Sequence, residues 1–505
     1  MAAANSDICA RNARARSPLN LPADEFRKLG YQLVDQIARS YDSLPARPVT
    51  RPAAPEAISS LLGSERLPEA GADVSELFAE VAPLLFDHSL HNGHPRFMGY
   101  ITSSAAPLGA LADLLASALN SNLARWEIAP VASEIESRAL RWIADVIGYD
   151  PDASGLMVSG GNMANFLAFV AARTDRAPWD IRRHGNYADD RKLTAYVSAE
   201  THTWVEKAAD VCGLGADAIR WISTDKEGRL DAEALQRQVR ADRRAGRLPF
   251  LAVGTAGNVG MGAVDPIRRL ADVCQQEDLW FHVDGCYGAP AAMLDDVPAD
   301  LHALSLADSI AVDPHKWLYC PIEVACVLTR HKEALRTAFS FSPEYYRLEG
   351  REEGGTNFYE LGMQNTRGFR ALKVWLMIRA LGRAGYREQI GRDIRLARRL
   401  YERVVERDDL DVHAINLSIT TFRYVPQDLK NDRREETEAY LNRLNQALLA
   451  ELQSGGELFL SNAVVNERYL LRACIVNFRT TEADIDAVPE IVARVGERLD
   501  RSLRG

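Results

Sequence analysis

From about Ala105 onward, short apolar runs alternate with stretches of helical periodicity, and no other feature constrains the fold of this chain as much. The runs are Leu193–Ser198, Ile219–Ile222, Phe250–Val253, Leu279–Val283, Ser309–Val312 and Val324–Leu328. Runs this short, apolar on both faces, read as strands buried inside a sheet. Their alternation with helices predicts parallel βαβ units and a sheet covered on both sides. Ligands of such sheets sit beyond the carboxyl ends of the strands. Polar residues directly after the runs are therefore the first candidates for a site.

The flanking regions read differently. Asp24 to Leu44 is an amphipathic helix, with Phe26, Leu29, Leu33, Ile37 and Tyr41 at spacings of three and four, Asp24 as its N-cap and Pro45 beyond its end. Pro45 to Pro68 is rich in Pro, Ala and Ser and is expected to wrap a surface. A second helix is expected over Val74 to Leu85. Past the last run, Ser342 to Thr356 is polar, charged and Gly-containing and reads as a long mobile loop. Arg367 to Leu381 is a helix. A smaller α+β region follows, with helices around Arg392–Arg407 and Thr437–Ser454 and strands around Ile419–Tyr424 and Leu470–Asn477.

The chain has 505 residues, enough for two or three domains. Lys plus Arg number 60 against 70 Asp plus Glu, a net charge of −10, which argues against a nucleic-acid or anionic-membrane surface. No run of ~18 uninterrupted apolar residues suggests a membrane span. The first residues carry three arginines without an apolar core and do not read as a secretory signal. The seven cysteines are odd in number and scattered, with no CxxC and no zinc spacing, so no metal is expected and a reducing cytoplasm fits best.

Four segments after strand signals carry the chemistry. In Ala307-Asp-Ser-Ile-Ala-Val-Asp-Pro-His-Lys-Trp317, a strand runs into a turn presenting His315 and Lys316, and a lysine can form an imine with an aldehyde cofactor. By itself it reads equally as a surface lysine. Leu279-Trp-Phe-His-Val-Asp284 ends a buried strand on a carboxylate, which suits either a protonated ring nitrogen or an N-cap. Val158-Ser-Gly-Gly-Asn-Met-Ala-Asn165 puts glycines at a helix start, where backbone N–H groups close on a phosphate or simply make a tight turn. Ser198-Ala-Glu-Thr-His-Thr-Trp204 offers His202 as a stacking ring or as a structural histidine. The bland readings are independent of one another; an aldehyde cofactor bearing a phosphate explains all four together.

Over about Glu25 to Cys474 the chain resembles the group II decarboxylases dependent on pyridoxal 5′-phosphate (PLP), the family of aromatic-L-amino-acid, glutamate and histidine decarboxylases. The resemblance rests on the four segments, above all His282-Val-Asp284 followed by Asp313-Pro-His-Lys-Trp317. His94-Pro-Arg-Phe-Met-Gly-Tyr100, Ala129-Pro-Val-Ala-Ser-Glu-Ile-Glu136, Thr255-Ala-Gly257 and Phe369-Arg-Ala-Leu-Lys-Val-Trp375 add to it. It implies PLP-dependent transferase fold type I, aspartate-aminotransferase-like, and a homodimer whose small-molecule substrate is an amino acid. It divides the chain into an N-terminal helical dimerisation segment (1–103), a large PLP-binding domain (104–378) and a small C-terminal α+β domain (379–505). It implies that Lys316 carries the cofactor, that Asp284 pairs with its pyridine nitrogen, and that His202 stacks on its ring. It further implies that Gly161, Asn162 and His315 lie near the phosphate and Thr255 near the ring. Tyr345 would protonate the substrate carbon after CO₂ leaves, and Tyr100, Ile101, Ser103 and Ala124 would lie beside the substrate.

This sequence departs from the family pattern at Asp284-Gly285-Cys286, where Asp-Ala-Ala is usual, and at Asn258-Val259, where threonines are usual. Ile101 and Ala124 stand where the animal aromatic-amino-acid enzymes carry aromatic residues. The expected reaction is decarboxylation of an L-amino acid, aromatic in the first reading. Acidic or diamino acids as substrates, or oxidative aldehyde synthesis, are the alternatives. A regulator that only senses PLP would need a DNA-binding module, and the first hundred residues show no helix-turn-helix.

Overall fold

The computed structural model describes residues 19–63, 66–188, 190–341 and 355–505. Tyr345, and nearly all of the segment read as a mobile loop, lie outside those residues. The chain forms two compact units: residues up to His91 with Ser454–Glu457, and Asn92–Gln453 with Leu458–Gly505.

The first unit contains helices Ala23–Ser43, Pro55–Leu61 and Val74–His88. Pro22, not Asp24, is the N-cap of the first; Asp24 lies inside the opening turn, where its charge suits the helix dipole. Asp73 caps Val74–His88 by accepting from the backbone N–H groups of Ser75 and Glu76.

The second unit is built on a seven-stranded sheet. Its strands are β1 (Ser154–Val158), β2 (Leu193–Ser198), β3 (Ile219–Ile222), β4 (Leu248–Thr255), β5 (Trp280–Asp284), β6 (Ser309–Val312) and β7 (Ala325–Thr329), in the order β1-β7-β6-β5-β4-β2-β3. β2, β5, β6 and β7 are buried along their whole length, which is why they read as continuous apolar runs. The expectation of an all-parallel sheet needs correction. β7 runs antiparallel to both β1 and β6, whereas the other neighbours pair in parallel. The physical reason is the connection: between β6 and β7 the chain has only turns and no crossover helix, so it returns antiparallel. β1 carries no clear strand signal in the sequence because Gly155 interrupts it. A Cβ there would lie 2.7 Å from Leu328 Cδ2 and 2.8 Å from the Val327 oxygen, so glycine is what lets β1 approach β7.

A second sheet, fully antiparallel, has the order β10-β11-β9-β8, from β8 (Leu410–Asn416), β9 (Ile419–Tyr424), β10 (Ser461–Val465) and β11 (Arg468–Cys474). The two helices expected around Arg367–Leu381 and Arg392–Arg407 form one run, Ala371–Val405, broken at Gly382 with φ 61° and ψ 177°. We propose that the domain boundary expected at residue 378 falls at this break. Among the described residues no helix is long and apolar enough to cross a membrane.

Candidate active site

β1, β2, β4, β5 and β6 all point the same way, and their carboxyl ends converge on one cavity. It is lined by Ile101, Gly161, Asn162, His202, Thr255, Asp284 and Lys316, seven of the residues singled out in the sequence. Asn165, Glu200, Gly257, Val259, Cys286, Tyr287 and Asp313 complete the wall.

After β1, Gly160 takes an extended conformation and caps helix Gly161–Arg176; its carbonyl accepts from Met163 and Ala164. The first N–H groups of a helix have no partner within it, and Gly161 and Asn162 lie on the cavity wall, an arrangement suited to cradling an anion. Gly161 has no room for a side chain: a Cβ would sit 2.7 Å from Cys286 Sγ and 2.9 Å from Asp313 Oδ2. After β2, His202 is exposed on the cavity wall.

Asp284 ends β5 and is 8% exposed. Its Oδ2 accepts from Asn165 Nδ2 at 3.1 Å and Trp204 Nε1 at 3.0 Å, and its Oδ1 from the Cys286 N–H at 3.2 Å. Three donors on one carboxyl fix its orientation at the end of β5. The helix-cap alternative is partly met by the Cys286 contact, but the other two donors come from distant side chains.

After β6, the Asp313-Pro-His-Lys turn brings Lys316 Nζ to 3.0 Å from Asp313 Oδ2. Burial alone would pull the ammonium down; the Asp313 carboxylate outweighs it and holds Lys316 well above the ordinary lysine range. His315 is not among the lining residues; its Nδ1 is hydrogen-bonded to the Val324 carbonyl at 2.7 Å, and its Nε2 lies 3.7 Å from Oδ2 of Asp313, which is.

Of the four residues expected beside the substrate, Ile101 lines the cavity. Ser103 Oγ donates to the His315 carbonyl at 2.8 Å, the Ala124 carbonyl accepts from the Tyr359 N–H at 3.1 Å, and Tyr100 stands half exposed against Phe459. None of these three is on the cavity wall.

The wall fits PLP. Thr255 Oγ1 and Asp313 Oδ1 are buried without a hydrogen-bond partner, a costly state that a polar cofactor in the cavity relieves. Cradle, carboxylate, exposed ring and amine supply what its phosphate, ring nitrogen, ring face and aldehyde require.

Sequence reasoning assigns no role to Asn165, Trp204, His282 or Glu200. Asn165 had a readable signal: it is four residues after Gly161, one helical turn along the same face. His282 is fully buried beneath Asp284, and burial pushes its imidazole down from 6.5 to about 4. An unfolded chain takes up that proton near pH 6.5 and the fold only near pH 4. The unfolded state therefore binds more protons in between, and stability falls as the pH drops through that window, by up to about 3 kcal/mol. Burial lifts Asp265 and Asp393 to about 7, which acts in the opposite direction. The effect is thus read as a difference: urea midpoints at pH 7.5 and 5 should separate more in wild type than in His282→Gln. Equal separations would count against a neutral His282.

Comparison with known proteins gives a consistent picture. The family model of the pyridoxal-dependent decarboxylase conserved domain matches residues 55–425. An aromatic-L-amino-acid decarboxylase of Bacillus atrophaeus is 36% identical over 486 residues, 96% of this chain and 98% of the relative. A 4-hydroxyphenylacetaldehyde synthase of Rhodiola rosea is 28% identical, with 92% of this chain and 94% of the relative covered. The crystal structure of Oryza sativa TDC with PLP and tryptamine superposes with a TM-score of 0.88 at 26% identity, covering 96% of this chain and all of the other.

Proposed function

The chain belongs to the pyridoxal-dependent decarboxylase family, and on that premise we propose that it converts an aromatic L-amino acid to its amine and CO₂, with Lys316 carrying the cofactor. One observation bears most of the weight: Asp284 at the end of β5 and Lys316 in the turn after its parallel neighbour β6 line one cavity, with the N-terminus of helix Gly161–Arg176 on its wall.

When bound, PLP supplies an electron sink for the pair left as the carboxylate leaves. The residues do the rest. The Gly161 and Asn162 N–H groups hold the phosphate. Asp284, oriented by its three donors, would pair with the ring nitrogen, and His202 would lie against the ring face. Asp313 Oδ2, 3.0 Å from Lys316 Nζ, holds the amine in place on the cavity wall. Tyr345, which lies outside the described residues, is assigned by family resemblance as the proton donor to the substrate Cα.

The wall supports an aromatic substrate over an acidic one. Ile101 and Val259 are apolar, and the basic lining residues, Lys316 and His202, are committed to the cofactor. Glu200 is also on the wall, its carboxyl pushed up by burial, and would repel an acidic side chain. The same Glu200 supports a second reading, a substrate with a cationic side chain. A panel of amino acids incubated with the PLP-loaded enzyme under air, with products identified by mass spectrometry, separates these. An aromatic amine is expected; a diamine would move the substrate, and an aldehyde with peroxide would move the reaction. Tyr345→Phe should shift product from amine towards aldehyde and peroxide, and an unchanged partition would release Tyr345 from its role.

We also propose a cytoplasmic homodimer. The described cysteines are all free thiols, as in a reducing compartment. Leu111, Leu114, Leu115 and Leu119 of helix Pro107–Leu119 are each more than half exposed, an apolar face that a second copy would cover. Light scattering should return the mass of two chains.

A further inference from the structure

Beneath Asp284 runs a line of buried polar groups that the reaction as described does not use. Trp280, His282 and Asp284 alternate along β5 and so share one face of the strand. Trp280 Nε1 donates to Ser309 Oγ at 2.8 Å. Ser309 Oγ lies 2.8 Å from His282 Nδ1, and His282 Nε2 lies 2.7 Å from Asn165 Oδ1. Asn165 Nδ2 then reaches Asp284 Oδ2 at 3.1 Å. Trp280, Ser309, His282 and Asn165 are each at most 1% exposed.

Only one assignment of hydrogens satisfies the line. A carboxylate only accepts, so Asn165 must turn its NH₂ to Asp284 and its oxygen to His282. His282 must then carry its proton on Nε2 and accept on Nδ1. Ser309 must donate to Nδ1, which leaves its oxygen free to accept from Trp280. Every hydrogen bond thus points towards Asp284, and neutral His282, accepting on one side and donating on the other, carries that direction across from Ser309 to Asn165. Without it the Asn165 amide is free to flip and present its oxygen to the Asp284 carboxylate, which sets acceptor against acceptor and removes a donor that holds the carboxylate where it would pair with a ring N–H⁺.

We propose that His282, with Asn165, is a positioning residue that fixes the hydrogen-bond polarity at Asp284 and thereby sets how strongly the site recognises the cofactor's ring nitrogen. The proposal rests on the PLP reading of the cavity but concerns a group that does not touch the cofactor. Its signature is selective. Losing the relay weakens recognition of the nitrogen, whereas a general loosening of the core weakens every part of the cofactor alike.

The test uses the full-length apoenzyme and two probes, PLP and its 1-deaza analogue, in which carbon replaces the ring nitrogen. Dissociation constants for both are measured by titration, and the readout is their ratio. In His282→Leu, which can neither donate nor accept, the preference for PLP over the deaza analogue should fall by roughly tenfold or more, the size of a charge-assisted hydrogen bond. His282→Gln, whose amide can accept from Ser309 and donate to Asn165, should stay within about threefold of wild type, inside the factor that separates similar hydrogen bonds. If both probes weaken together and the ratio holds at the wild-type value in His282→Leu, the relay has no such role and His282 is packing alone. Should His282→Leu fail to fold, Ser309→Ala, which frees His282 to adopt the other tautomer, is measured in its place: a fall in the same ratio supports the relay, and an unchanged ratio overturns it. A wild-type apoenzyme with no preference between the probes would instead overturn the pairing of Asp284 with the ring nitrogen, a result separate from an intact preference that the variants leave unchanged.

Discussion

Lys316→Ala should abolish the visible absorbance of the PLP-loaded protein and reduce turnover by roughly three orders of magnitude or more, as loss of a covalent catalytic group does. The side chain has two separable jobs. Among the described residues its amine is the one on the cavity wall able to bond an aldehyde, and its charge balances Asp313, which is 2% exposed and already holds one oxygen without a partner. Alanine removes both, so the apoprotein should also lose thermal stability, because an unpaired buried charge is expensive. Lys316→Arg separates them: it keeps a cation near Asp313 but offers no imine-forming amine. Arginine should therefore recover stability without recovering turnover. Borohydride reduction of the wild type followed by peptide mapping should find the pyridoxyl label on Lys316. A label on another lysine, or an arginine variant with substantial turnover, would remove Lys316 from its role.

Much of this site is legible in the sequence because its residues follow strand signals. Lys316, Asp284 and His202 each come directly after an apolar run, and a sheet with its carboxyl ends aligned brings such residues together whatever their separation in sequence. What is not legible depends on who meets whom across elements. Nothing in Trp204 or Asn165 taken singly says that both donate to Asp284; that follows from helices Trp204–Val211 and Gly161–Arg176 lying over the same end of β5. The direction of β7 escapes the sequence for a related reason. Periodicity identifies a strand but not its orientation, which is set by the helix-free return through the Lys316 turn. That turn is what permits the reversal, so the placing of Lys316 and the reversed strand have one cause. The substrate wall is the least legible part. Ile101 is found through resemblance, yet Glu200, two residues before His202, has no pattern to announce it.

Asp284→Ala should weaken PLP binding and lower turnover by about two to three orders of magnitude, in line with removing the charge that stabilises a reacting centre. The informative comparison is Asp284→Asn. Asparagine has nearly the same shape and keeps one oxygen to accept from the Cys286 N–H, the contact that a helix cap needs. It carries no charge, and its NH₂ would face Asn165 Nδ2 and Trp204 Nε1, which are both donors. A residue that only capped the following turn would tolerate this change almost fully. A residue that holds a protonated ring nitrogen would not, and Asn should then fall nearly as far as Ala. Asp284→Glu should retain more than either, since it keeps the charge and misplaces it by one methylene. All three substitutions leave donors in a buried site imperfectly matched, at about 1–3 kcal/mol for each unsatisfied group, so the apoproteins should melt earlier. Turnover and PLP affinity are therefore compared at a temperature where circular dichroism finds every variant folded. The order Glu above Asn, with Asn close to Ala, is the expected result. Asn at near wild-type turnover would reduce Asp284 to a cap and leave the ring nitrogen without its partner.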